Sequence, residues 1–158
     1  MKNTREQISV ALFNLLKNNQ PLAALCKTIT RSPRIWTAVS DVEKPFLTLF
    51  KGGPASEYFD QPQERRIGLT KYILHFNLWA YIAADPSGQV NAETIANNIS
   101  DAIDLAMQTD ANKSSFGERQ TLGGLVTNCY IDGGSEWGRE FEDSNLVIFW
   151  RITCELGI

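Results

Sequence analysis

His75 is the only histidine in the 158-residue chain. A site built from several histidines of one chain is excluded, and a Ser–His or Cys–His pair would have to use His75. The three cysteines stand at 26, 129 and 154, far apart and without a CxxC pair. They read as reduced thiols acting as small hydrophobes. Cys129 is a nucleophile only if a sheet brings His75 against it. Glu136, Glu140, Glu142 and Asp143 surround Trp137. Clustered carboxylates can bind Ca²⁺ or Mg²⁺, but the Asp and Gly spacing of a calcium loop is missing, so the stretch reads as a solvated turn. Gly52-Gly53 is not followed by a GK[ST] element, and Gly123-Gly124 opens an apolar run rather than a helix, so no phosphate loop is present. Arg65-Arg66 is too short for a nucleic-acid patch and reads as a charge pair at a strand edge. No catalytic, metal or cofactor site is expected.

The apolar fraction is 43% and the charged fraction 21%, which suits a packed globular chain rather than a disordered one. A chain of this length buries roughly 70% of its unfolded surface without disulfide or metal support. The expectation is a single domain over 1–158. No apolar run approaches the ~18–20 residues of a membrane span, and MKNTREQ has no signal-peptide core. The chain is expected to be soluble and made in a cytoplasm.

Net charge is −3, unevenly spread. Residues 1–71 carry eleven Lys and Arg against six acids; residues 72–112 carry five acids and no Lys or Arg; residues 113–158 carry four basic and seven acidic residues. Two solvated faces of a monomer would give this pattern. So would a head-to-tail contact in which one copy's basic region meets the next copy's acidic region.

These residues need elements to hold them. Thr4 and Gln7 form a capping box ahead of Ile8, Leu12, Leu15 and Leu16, which share a helical stripe. Pro21 ends that helix, and one more short turn is expected over 21–27. TITRSPRIWTAVS reads as a short strand or loop, and FLTLF as a strand. The polar segment 51–66, with Tyr58 and Phe59 in its middle, reads as a long hairpin loop. A long strand is expected over 67–83, with Tyr72, Leu74, Phe76, Leu78, Ala80 and Ile82 on the core face. Asn91 caps a second helix to about 109, with Ile95, Ile99, Ala102, Ile103 and Ala106 inward and Asp101 and Asp104 off the apolar stripe. TLGGLVTNCYIDGG reads as a strand with Leu125, Cys129 and Ile131 on one face, and SNLVIFWRITCELGI as the last strand. The expected fold is α+β: an antiparallel sheet of about four strands with two main helices packed on one face. Trp79, Tyr81, Phe149 and Arg151 fall on the opposite face. A neighbour would cover that face in part, or else the loop 51–66 or the N-terminal segment would.

The order of these patterns resembles the tail terminator (tail completion) proteins of long-tailed bacteriophages. Four stretches carry the resemblance: the helix TREQISVALFNLLK; PFLTLFKGG with the strand TKYILHFNLWAYI; the helix NAETIANNISDAIDLAM; and TLGGLVTNCYIDGG with NLVIFWRITCEL. Together they span nearly the whole chain. The resemblance implies a structural virion subunit, assembled in the host cytoplasm, that forms a homo-oligomer, a hexameric ring. Such a ring caps the tail tube, stops its polymerisation and offers a docking surface to the head completion or connector protein. DNA passes through its lumen without specific binding. No catalytic residue or cofactor is implied. Candidate subunit or partner contacts are Tyr58, Phe59, Arg65, Arg66, Glu93, Asp101 and Asp104. The same residues leave open another head–tail joining (neck) protein, or a small α+β ligand-binding domain or enzyme with a pocket near His75 or Cys129.

Overall fold

Thr4 starts the first helix as its spacing requires. In the computed structural model the Gln7 N–H donates to Thr4 Oγ1 at 3.1 Å and the Thr4 N–H donates to Gln7 Oε1 at 2.8 Å, closing the capping box. The structure describes residues 4–51, 61–65, 68–84, 91–108, 120–133, 136, 138–142 and 145–157. Helix α1 runs Arg5–Lys17. Asn19 then caps a second short helix, α2, Gln20–Leu25, with Pro21 in its first turn, where a missing N–H is harmless. The third helix, α3, is Ala92–Met107, and its N-cap Asn91 accepts from the Glu93 N–H.

The strands are β1 Thr28–Thr30, β2 Phe46–Phe50, β3 Gln61–Arg65, β4 Gly68–Ala83, β5 Asn128–Ile131, β6 Gly138–Glu142 and β7 Asn145–Gly157. They form one sheet. Its spine is the antiparallel pair β4 and β7, in register from Lys71↔Gly157 to Ala83↔Asn145. β2 and β3 pair in tandem with one edge of β4. β5 and β6 pair in tandem with the outer edge of β7. The sheet therefore has four antiparallel ranks, two of them interrupted, and β1 adds a parallel pairing outside β2.

The fold is α+β. Its finer expectation of about four antiparallel strands needs correction: seven strands are present among the described residues, and one pairing is parallel. The reason lies in the flanks. Two of the outer strands are short and polar: neither β3 (QPQER) nor β6 (GREFE) carries an apolar alternation. Pairing with a long neighbour orders them instead. The segment 51–66, expected as loop, ends in β3. The acidic segment around Trp137, expected as a turn, contains β6. The strand expected from Thr121 begins only at Asn128, because Leu122, Gly123 and Gly124 all take positive φ (51°, 73° and 93°) and turn the chain.

Side chains alternate across this sheet. One face carries Leu47, Leu49, Leu74, Phe76, Leu78, Ala80, Leu146, Ile148, Trp150, Ile152 and Cys154, all buried with Ile8, Leu12 and Leu16 of α1 and Ile99 and Ile103 of α3. This is the expected helix-covered face, with α2 supplying Leu22 as well. The opposite face carries Phe46, Tyr81 and Val147, buried with Val39 and packed by Trp36, Trp79 and Phe149. The cover at that end is the segment 31–44, which forms two 3₁₀ turns, Trp36–Ala38 and Asp41–Glu43. The Tyr81 hydroxyl donates to the Arg34 carbonyl at 2.6 Å, and the Arg34 guanidinium lies 4.7 Å above the Phe46 ring. Lys44, with 5% of its side chain exposed, bridges Asp41 and Asn145. The cover comes from the chain between β1 and β2, because its Trp36 and Val39 are the apolar groups next in line. Trp79 and Phe149 stay half-buried in an edge-to-face pair at 5.2 Å. The Phe149 ring occupies the space a side chain at Gly138 would need: a Cβ there would fall 2.8 Å from it.

Candidate interaction surface

The sheet separates the two groups that a thiol site would need. His75 faces Thr153, with Nδ1 at 3.2 Å from the hydroxyl. Cys129 pairs with Cys154, on the helix-covered face. His75 and Cys129 therefore occupy opposite faces, and no Cys–His pair can form. Hydrogen bonding to Cys154 and burial both push the Cys129 thiol up; burial pushes Cys26 up to about 12. These thiols are poor nucleophiles at neutral pH. The nearness of Cys129 and Cys154 was not visible in their sequence spacing. It comes from the strand register alone.

The structure forms a groove of about 490 Å³ between the end of α1 and the turn at 120–123. Its polar lining is neutral amide: Asn14, Asn18, Asn19 and Gln120. Neither His75 nor Cys129 lines it. Among the described residues no group of three or more His, Cys, Asp or Glu is placed to hold a metal ion.

Charge is the feature with more to offer. Successive residues of an α-helix turn by about 100°, so Glu93, Asn97, Asp101 and Asp104 of α3 fall within one stripe about 80° wide. Glu93 and Asp101 are exposed and Asp104 is half-buried. This stripe borders the start of β6. Ser100 donates to Glu136 at 2.6 Å, and Arg139 donates to Asn97 at 3.0 Å and to Glu136 at 2.9 Å. Burial opposes the charge on Glu136, but the hydrogen bonds from Arg139 and Ser100 outweigh it and hold that carboxyl below its usual range. Arg139 is thereby committed to Glu136. Asp104 has no such relief. Burial first, then the charges of Asp101 and Glu136, push its carboxyl up. Among the described residues no cation pairs with Asp101 or Asp104. The sequence placed these acids on a helix; the fold shows that the neighbouring Arg139 is spent on Glu136 and Asn97.

Among the described residues, part of the basic half is already paired. Arg31 pairs with Glu6, Arg34 with Glu43, and Lys44 with Asp41. The remaining exposed cations include Lys17, whose ammonium lies over Phe13, and Lys27, next to β1. β1 is the edge of the sheet beyond β2, whereas β6 and β5 form the edge beyond β7. Lys27 and the acidic stripe are thus associated with opposite edges of one sheet. Of the other candidates, Tyr58, Phe59 and Arg66 lie outside the described residues, and Arg65 is the last residue of β3, in register with Gly68.

The Arg34–Glu43 pair yields a pH expectation. The Arg34 guanidinium, with Ser40, holds the Glu43 carboxyl down to about 2 from an ordinary 4.5. A depressed carboxyl stabilises the fold above its unfolded pKa, and that contribution is lost as pH falls through the folded value. The cover over Tyr81 should loosen between about pH 4.5 and 2, seen as a rise in Trp36 and Trp79 solvent exposure by fluorescence. Glu43→Gln should remove that pH step; an unchanged step would assign it to another group.

No protein-family model matches the chain, and no curated protein matches it.

Proposed function

We propose that this chain is a structural ring subunit of the tail-terminator kind, which caps the tail tube of a long-tailed bacteriophage, stops its growth and presents a face to the head connector. The observation that carries the reading is the acidic stripe of α3, whose Asp101 and Asp104 pair with no cation among the described residues, at one edge of a sheet whose opposite edge bears Lys27. A head-to-tail ring needs two different complementary patches on each subunit, and opposite edges supply them without steric conflict. The four resembling stretches form the main helices and the spine of this α+β fold, which supports the same reading. So does the mildly acidic charge of −3, since a lumen that conducts DNA must not grip phosphates.

The test is solution mass by light scattering over a range of concentrations, with negative-stain images of the same samples. Six copies of 17.7 kDa give a ring of about 106 kDa with a central hole. Added to growing tail tubes, the protein should stop elongation. A monomer that neither binds purified tubes nor arrests them would overturn the proposal. A ring that binds only the connector would reassign the chain to another place in the neck.

A further inference from the structure

Cys129 and Cys154 face each other across β5 and β7, twenty-five residues apart in the chain, with their sulfurs 3.2 Å apart. The register explains why. The Asp132 N–H donates to the Arg151 carbonyl at 2.8 Å. Antiparallel pairs alternate between hydrogen-bonded and non-hydrogen-bonded. Counting from Asp132 and Arg151, the cysteines fall at a non-hydrogen-bonded pair. There the Cα atoms approach to about 4.5 Å and side chains come closest. That separation lies inside the range of about 4.4–6.8 Å that a disulfide spans. Both side chains sit in the helix-covered core, 2% and 0% exposed. Cys26 is also buried, but no sulfur contact joins it to this pair.

We propose that Cys129 and Cys154 are a disulfide-forming pair, a covalent staple between β5 and the spine strand β7. A small disulfide is a sufficient oxidant. One cysteine, as thiolate, attacks the reagent's disulfide, forming a mixed disulfide and releasing one thiol. The second cysteine then displaces the other reagent thiol and closes the protein bond. The pair loses two electrons and two protons in all, and the reagent gains them as two thiols. Both sulfurs are closed off from a reagent in the packed core, so the first attack needs β5 to open. β5 has only four residues and lies at the sheet edge, where local opening is easiest. Once closed, the staple fixes the start of the β5–β6 rank, which carries Glu136 and Arg139 beside the acidic stripe. The chemistry stands on the geometry alone. Only its timing, when a particle leaves a reducing cytoplasm for air, rests on the phage reading.

The experiment uses the full chain with Cys26→Ser, so that the pair holds the only two thiols. The protein is incubated with oxidised glutathione both as folded protein and during refolding from denaturant. Thiols are then counted under denaturing conditions, and the intact mass is measured. The expected result is loss of both thiols, a mass about 2 Da lower, and a thermal midpoint higher by roughly 5–10 °C that dithiothreitol reverses. Cys154→Ser in the same background should instead stop at a glutathione adduct. Two free thiols after refolding in the redox buffer, or a glutathione on each cysteine, would overturn the proposal. Loss of ring assembly would not bear on it.

Discussion

Replacing Trp150 by alanine should remove about 4 kcal/mol of stability, the upper range for a buried aromatic. Trp150 is 1% exposed and stands at the centre of the helix-covered face, in register with Leu78. The long neighbour β4 is not free to close the gap, since it is locked in register with β7 from Lys71 to Ala83. The indole carries a second, opposing contribution. Its Nε1–H is buried without an acceptor among the described residues. A buried donor without a partner costs about 1–3 kcal/mol. Trp150→Phe removes that donor together with part of the volume. It should therefore cost no more than about 1–2 kcal/mol, well short of the alanine variant. Urea unfolding of the three proteins, with unchanged slopes, measures both differences. A phenylalanine variant as weak as alanine would mean that the N–H is hydrogen-bonded in the fold and that its loss adds to the lost volume.

Trp150 also illustrates what the sequence could and could not reveal. Its place on an apolar alternation with Ile148 and Ile152 is legible from period two alone. So are Thr4 and Gln7, whose capping box is closed by residues three apart, and Asn91 ahead of α3. The sixteen-residue β4 is legible for the same reason: its pattern is long and local. β6 is not, because Gly138, Arg139, Glu140, Phe141 and Glu142 acquire a strand conformation only by pairing with β7. The parallel pairing of β1 depends likewise on where Phe46 lies, not on Thr28–Thr30 themselves. Leu122 misleads in the other direction. An apolar residue in an apolar run looks extended, yet it takes a positive φ and begins a turn. In the candidate surface, the spacing of Glu93, Asp101 and Asp104 is local and could be read. The pairing of Arg31 with Glu6 and the bond from Arg139 to Asn97 are tertiary and could not be read, whereas Arg139 with Glu136 and Lys44 with Asp41 stand only three residues apart.

If copies meet head to tail as proposed, reversing Asp101 and Asp104 together to lysine should reduce the assembled species to monomer at low salt while leaving the fold intact. Placing like charges against each other at an interface costs several kcal/mol, and each ~1.4 kcal/mol weakens association tenfold. The subunit itself should not suffer. Asp104 has its carboxyl pushed up by burial and by Asp101 and Glu136. A raised carboxyl disfavours the native state once ionised, so its contribution to stability is full below the unfolded pKa and lost as pH rises through the folded one. Lysine at 101 and 104 replaces that repulsion with attraction to Glu136, so the monomer should unfold at the same denaturant concentration or a slightly higher one. Assembly and folding thus respond in opposite directions to one charge change, and the same split should follow acidification. As Asp104 takes up its proton, the monomer gains and the contact between copies loses. Light scattering on the double variant and on Asp101→Asn with Asp104→Asn, at low and high salt, separates the two effects. The asparagine pair should weaken assembly less than the lysine pair, and salt should narrow the gap between them. Equal assembly in all three proteins at low salt would remove the acidic stripe from the interface and return the search to Lys27 and the β1 edge.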